Sequence, residues 1–141
     1  MTGNSPKPET YTEKLLTTIF SSDPTRVGMA IDILTEWLHD QRALDPLLAL
    51  LKSPVDAHRL VMAARGLGHL GNPTAVPSLI DLLQDAHRPF VARVAAAHTL
   101  GQLGGDSARE ALQQSVYDIR PSVANAARQA LMLIEKNKAG E

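Results

Sequence analysis

The sequence predicts an all-α fold, an α-solenoid of about eight helices stacked as antiparallel pairs. Three observations lead there. First, the stretch Ala63–Asp85 recurs one repeat later as Ala96–Asp118: Ala63, Ala64, Leu67, Gly68, Leu70 and Gly71 fall on Ala96, Ala97, Leu100, Gly101, Leu103 and Gly104, and Ala75, Leu79 and Asp85 fall on Ala108, Leu112 and Asp118. Second, apolar residues within a unit stand three and four apart, as in Val61, Ala64, Leu67 and Leu70, the period of a helix with one buried face. Third, each first helix runs into a glycine, Gly71 or Gly104, the residue that best accepts the left-handed conformation just past a helix C-terminus. A pair of such short helices cannot bury its apolar face alone, so stacking must supply the core.

Taken along the chain, Met1–Glu9 reads as a flexible N-terminal tail. Leu15, Leu16, Ile19 and Phe20 read as a lone second helix of a preceding repeat. Ala30 and Leu34 repeat Ala63 and Leu67; Trp37 falls on Leu70 and is therefore expected to fill the core. Ala43, Leu47, Leu48, Leu50 and Leu51 match Ala75, Leu79, Ile80, Leu82 and Leu83 at a shift of 32, read as an inter-helix turn one residue shorter. Asn72 and Pro73 open the turn of the next unit, with Thr74, like Asp106 one repeat on, as the expected N-cap of a second helix. Asp23, Ser53, Asp85 and Asp118 fall between repeats, where side-chain caps belong. Arg120–Leu131 echoes Arg88–Leu100 with one residue lost, which gives a final helix from about Pro121 to Lys136 with Asn125, Arg128, Gln129 and Lys136 on a polar outer face. The domain organisation is one repeat domain over residues 10–136 and a C-terminal tail over 137–141. Gly68 and Gly101 lie inside first helices, where glycine costs about 1 kcal/mol relative to alanine. A cost repeated at the same position predicts close approach of a neighbouring helix; fraying of the helix end is the alternative.

Composition limits the function classes. Fourteen basic residues oppose fifteen acidic ones, a balance that does not favour nucleic acid or an anionic membrane as partner. Aromatic residues are 4% of the chain, so the core must be built from Ala, Leu, Ile and Val. There is no cysteine, which excludes disulfides, thiol chemistry and Cys-ligated zinc and fits a cytoplasmic location. The N-terminal MTGNSPKPET has no signal-peptide pattern, and no apolar run reaches the roughly 18 residues of a membrane span. The chain carries no nucleophile elbow, phosphate-binding loop or zinc-hydrolase motif. Glycines in GHLGNP and GQLGG end helices and follow no strand. No catalytic residue, metal ligand or cofactor is assigned.

The segments AARGLGHLGNPTAVPSLIDLL and AAAHTLGQLGGDSAREAL resemble the short HEAT-like repeat of phycobilisome bilin lyases of the E/F type, also found in bacterial and archaeal scaffold proteins. The resemblance covers roughly Pro24 to Ile134. It implies a right-handed superhelix of antiparallel helix pairs and, through the lyases, a phycobiliprotein as one client to test. Its matching residues are packing and turn residues, so it implies little about function. Deoxyhypusine hydroxylase resembles this repeat too, but holds two irons with His-Glu pairs; here His39-Asp40 is the nearest approach and stands alone. DNA glycosylases built of HEAT-like repeats use a basic, aromatic groove, which this near-neutral, aromatic-poor chain does not match.

In such solenoids the second helices line the concave face. Successive second helices then place Ala49, Asp81 and Gln114 in one ladder, Lys52, Gln84 and Tyr117 in another, and Asp45, Pro77 and Glu110 in a third, with Ser78, Gln113 and Asp85 beside them. The expected partner-binding residues are Asp45, Lys52, Ser78, Asp81, Gln84, Glu110, Gln113, Gln114 and Tyr117. This mixed, slightly acidic surface suits a protein partner better than nucleic acid; a plain solvated face is the competing reading. Tyr117 draws most interest because tyrosine is enriched in binding hot spots; a cap over the last seam is its alternative. Arg59, Arg65 and Arg93 on first helices read as a solvated face, with a modest basic strip on the convex side as the alternative. Arg88-Pro89 and Arg120-Pro121 recur as a repeat feature, with proline suited to a first helical turn. His58 and His69 lie too far apart in the chain to match the spacing of paired helical metal ligands, and His98 stands alone in an Ala-rich helix. The sequence points to a non-catalytic scaffold or adaptor that holds a protein, with a lyase-related subunit or chaperone-like factor as the alternative. Self-association into a homo-oligomer through the open ends, where Met132 and Leu133 lie, is a third reading.

Overall fold

The computed structural model describes residues 10–140. Among them are eight α-helices and no strand: α1 (Tyr11–Thr18), α2 (Pro24–Asp32), α3 (Leu44–Lys52), α4 (Ala57–Leu70), α5 (Val76–Gln84), α6 (Phe90–Leu103), α7 (Asp106–Ser115) and α8 (Pro121–Ala139). The expected N-terminal tail lies outside the described residues. The last helix runs past its expected end at Lys136 to Ala139, with Lys136 and Lys138 in its final turn, where cations complement the helix dipole. First helices α2, α4, α6 and α8 stack on one another in one layer, and second helices α3, α5 and α7 in another. The chain is thus an α-solenoid: a leading half-repeat, three helix pairs and a final helix.

The repeat period becomes a repeated core. Val27, Ile31 and Leu34 from α2 and its continuation, Leu60 and Leu67 from α4, Leu100 from α6 and Val123 from α8 are fully buried; Leu47, Leu79, Leu83 and Leu112 meet them from the second helices. Ala63, Ala64, Ala96, Ala97, Ala126 and Ala127 are buried beside them and keep the first helices close. Gly101 has the tightest reason to be glycine. A Cβ there would sit 2.8 Å from the Ala130 Cβ and 2.9 Å from its Cα, so α8 backbone occupies the space. At Gly68 the neighbours are side chains, the Gln102 Oε1 and, at 3.2 Å, the Thr99 Cγ2, so there α6 approaches through side chains and not backbone.

The first repeat departs from expectation. The stretch from Ala30 to Ala43 is one residue longer than the stretch from Ala63 to Ala75, so this repeat is longer between its helices, not shorter. The extra residue is absorbed in a π-helical turn, Ile33–Trp37, closed by the Leu38 N–H donating to the Ile33 carbonyl at 2.9 Å. Beyond the turn the shift of 32 holds. His39 (φ +47°) takes the left-handed place of Gly71 (φ +66°), and Asp40 accepts from the Arg42 N–H as Asn72 does from the Thr74 N–H. Trp37 therefore shares the register of His69, not of Leu70, and is 78% exposed instead of filling the core.

Caps differ in detail from the sequence reading. Asn72 caps the 3-10 turn Pro73–Ala75 that leads into α5, and Thr74 lies inside that turn. Asp106 is the first residue of α7, which Gly105 precedes without a side-chain cap. Asp23 and Asp56 cap α2 and α4, while Ser53 donates to the Ala49 carbonyl. Thr10 and Glu13 form a reciprocal capping box at α1.

Candidate functional site

The outer surface of the second-helix layer is built from the residues of α3, α5 and α7 that the apolar stripe leaves over. Lys52, Ser78 and Asp81 come together in a groove of about 230 Å³ between α3 and α5, which Leu51, Leu82, Asp85 and Arg88 complete. Its charges alternate, two cations and two carboxylates, and its apolar contribution comes from two leucines. Arg88 is anchored there by donating to the Leu51 carbonyl, in the last turn of α3. The sequence marks Arg88 only as a repeat feature; its place in the groove follows from the turn Asp85–Arg88, in which the Asp85 carboxylate accepts from the His87 N–H. One repeat further, the Gln84 Nε2 donates to the Gln114 Oε1 at 3.2 Å, so the ladders are joined laterally as well as aligned.

The remaining expected residues are exposed but not gathered. Asp45 sits in the first turn of α3, and Glu110 and Gln113 on α7, each outside the groove. Tyr117 follows α7 and is 88% exposed, so it covers no seam. What this layer offers is a strip of hydrogen-bonding and charged side chains spanning three helices, with one shallow groove. Among the described residues no three His, Cys, Asp or Glu side chains are placed together to hold a metal ion.

Arg59, Arg65 and Arg93 form neither the expected solvated face nor the alternative basic strip. Arg93 is 5% exposed; its Nε donates to the Leu83 carbonyl at 2.9 Å and its guanidinium pairs with Asp118. Arg59 pairs with Asp56 and donates to the Ser22 carbonyl at 2.6 Å. Arg128 donates to the Val116 carbonyl at 3.3 Å. Arg93 on α6 and Arg128 on α8 satisfy carbonyls left open where the preceding second helix, α5 or α7, ends, while Arg59 on α4 reaches back to the turn after α1. The guanidinium fork suits that task, since it serves several acceptors at once. Of Arg59, Arg65 and Arg93, only Arg65 is fully on the surface. No helix of the described chain is long and apolar enough to cross a membrane.

Comparison with known proteins agrees with this architecture. A curated relative, deoxyhypusine hydroxylase of Candida albicans, is 35% identical over 74 residues, which are 52% of this chain and 23% of that enzyme. Among solved structures, a chain in the complex of CpcE and CpcF of phycocyanin lyase from Nostoc matches with a TM-score of 0.70 and 29% identity, over 96% of this chain and 57% of that one. The chain thus spans less than two thirds of either protein. The family model for HEAT repeats matches twice, at residues 12–91 and 44–132, so that it covers every helix pair described above, and the chain belongs to the HEAT-repeat family.

Proposed function

We propose that this protein is a non-catalytic scaffold or adaptor that holds a protein partner against the outer face of its second-helix layer. The observation that carries the proposal is the set of polar side chains over α3, α5 and α7, with Lys52, Ser78 and Asp81 in one groove and Gln84 bonded to Gln114 beside it. Such a surface is rich in directional hydrogen-bonding groups, which suits a partner recognised by polar complementarity. Tyr117 at its edge is the residue best able to act as an anchor.

A second reading makes the chain a subunit or chaperone-like factor related to phycobilisome bilin lyases, with a phycobiliprotein as client. It is favoured by the 29% identity to the lyase structure over 96% of this chain.

Affinity capture from the native host separates the two. Wild type is compared with the triple variant Asp81→Asn/Gln114→Ala/Tyr117→Ala, with bound proteins identified by mass spectrometry. A client held by wild type and lost by the variant supports the scaffold reading on this face. Capture by both proteins would move the site elsewhere. Recovery of a phycobiliprotein, together with bilin fluorescence that survives denaturation when bilin, apo-phycobiliprotein and this chain are co-expressed, favours the second reading.

A further inference from the structure

The other layer of the solenoid has its own groove, of about 410 Å³, between α4 and α6. This falls within the roughly 300–1,000 Å³ of small-molecule sites. It is made of two matching helical stripes. Val61, Arg65 and His69 stand four apart on α4, and Val94, His98 and Gln102 occupy the same positions one repeat later on α6. Every ionisable side chain lining the groove, namely Arg65, His69 and His98, is basic; no carboxylate lines it. Asp32 holds the same register on α2 but is outside the groove.

Arg65 is the only arginine without a partner among the described residues. Arg26, Arg42, Arg59, Arg93 and Arg109 are in ion pairs, Arg88 and Arg128 donate to main-chain carbonyls, and Arg120 lies 4.7 Å from the centre of the Phe90 ring. His69 is oriented from behind. Thr35 gives its hydroxyl proton to the Ile31 carbonyl at 2.8 Å, so toward the His69 Nδ1, 3.5 Å away, it presents a lone pair. An Nδ1–H facing that lone pair fixes the ring as part of the groove wall.

We propose that this groove binds a small organic carboxylate with an apolar body. Its anionic end is held by Arg65 and His98, with His69 as part of the wall, and its body lies along Val61, Val91 and Val94. A guanidinium with no protein partner supplies the paired donors a carboxylate accepts, and the valines supply the apolar surface that favours an acid with a hydrocarbon tail over a bare ion. The site is independent of the polar strip on the second-helix layer.

The test is a titration of the ¹⁵N-labelled full chain with sodium octanoate, followed by backbone amide shifts. Octanamide serves as the uncharged control, and acetyl-Leu-Glu-Leu-amide as a peptide carboxylate. Arg65→Gln and His98→Gln are compared with wild type; both positions are exposed, and circular dichroism checks that the helices remain. The proposal expects saturable shifts within Val61–His69 and Val91–Gln102 for octanoate. It expects binding about tenfold weaker for octanamide and for each variant, the effect of losing one charge-assisted contact. Equal response to octanamide, shifts mapping elsewhere, undiminished binding in both variants, or no saturation would overturn it. A response to the peptide with none to octanoate would overturn the assignment to a small molecule.

Discussion

Arg93 and Asp118 form an ion pair between α6 and the turn after α7, and the same guanidinium ties that third helix pair to the second by serving the Leu83 carbonyl at the end of α5. Arg93 is nearly lost to solvent and Asp118 largely so. Removing either partner strands a charge in the seam, a more costly change than deleting an exposed pair. Arg93→Met is expected to lower stability by about 3 kcal/mol. Asp118→Asn, which keeps shape and loses charge, is expected to cost about 1.5–3 kcal/mol. Urea unfolding followed by circular dichroism measures both. Losses below about 0.5 kcal/mol for both, the range of an exposed pair, would mean that the pair does not hold the seam.

The same pair makes stability depend on acid. Burial pushes the Asp118 carboxyl up, but hydrogen bonds from the Arg93 side chain and the Arg120 N–H, with the charges of both arginines, outweigh it and hold the carboxyl below the usual carboxylate range. Asp56 is lowered chiefly by the Arg59 N–H, and Asp40 chiefly by the Arg42 side chain. A carboxyl lowered in the folded state stabilises it above the unfolded value, about 3.9, and that contribution disappears as pH falls through the lowered value. Stability of the wild type should therefore fall below about pH 4. Asp118→Asn should show a shallower fall over the same range in a pH series of thermal unfolding curves.

Two glycines at one repeat position predict unequal outcomes. A methyl at Gly101 meets α8 backbone at Ala130, which cannot move aside without shifting a helix. Gly101→Ala is expected to destabilise by about 1–3 kcal/mol, the usual cost of overpacking. A methyl at Gly68 meets the end of the flexible Gln102 side chain, which can rotate away, and the Thr99 methyl. There the gain of about 1 kcal/mol in helix propensity offsets the crowding, so Gly68→Ala is expected to change stability little. Equal losses at the two positions would contradict the difference in their neighbours.

The repeat was legible because its residues do the same physical work in each unit: Leu67 and Leu100 fill equivalent places, and Gly71 and Gly104 end equivalent helices. Gly101 was legible for the same reason, as a repeated cost that packing must explain. Trp37 was not, because aligned letters cannot say where an extra residue is absorbed. A change of shift placed after Trp37 sets it on Leu70; the π turn places the change before, and the side chain moves to the surface. Arg93 was equally illegible, because a lone arginine on an Ala-rich helix has no pattern that marks burial. Its acceptors, Leu83 and Asp118, lie in other elements and meet it only once the repeats stack. The ladder positions were readable as exposed, yet of the expected partner-binding residues only Lys52, Ser78 and Asp81 share a groove, with Asp85 beside them, because α3 and α5 meet there.

Trp37 gives a direct optical check of that register. It is the only tryptophan in the chain. Its fluorescence should peak where water-exposed indole does and be quenched readily by iodide in the native state, with little red shift on unfolding. Trp37→Ala removes little buried area and is expected to change stability by less than about 0.5 kcal/mol. A blue-shifted, iodide-resistant emission would place the ring in the core and reject the π-turn register.

His39 is the other consequence of that turn, because it holds the positive φ that Gly71 holds one repeat later. A left-handed backbone costs a residue with a side chain about 1–2 kcal/mol, whereas glycine accepts it at the price of a more disordered unfolded chain, up to about 1 kcal/mol. His39→Gly should therefore stabilise the protein by about 0.5–1 kcal/mol. The reverse change has a clean counterpart. At Gly71 an added Cβ meets nothing within 4 Å, so Gly71→Ala tests the backbone cost without crowding and should destabilise by about 1 kcal/mol. Urea midpoints that move in opposite directions for the two variants would establish His39 as the structural equivalent of Gly71. A destabilised His39→Gly would mean that the imidazole contributes more to the first repeat than its strained backbone costs.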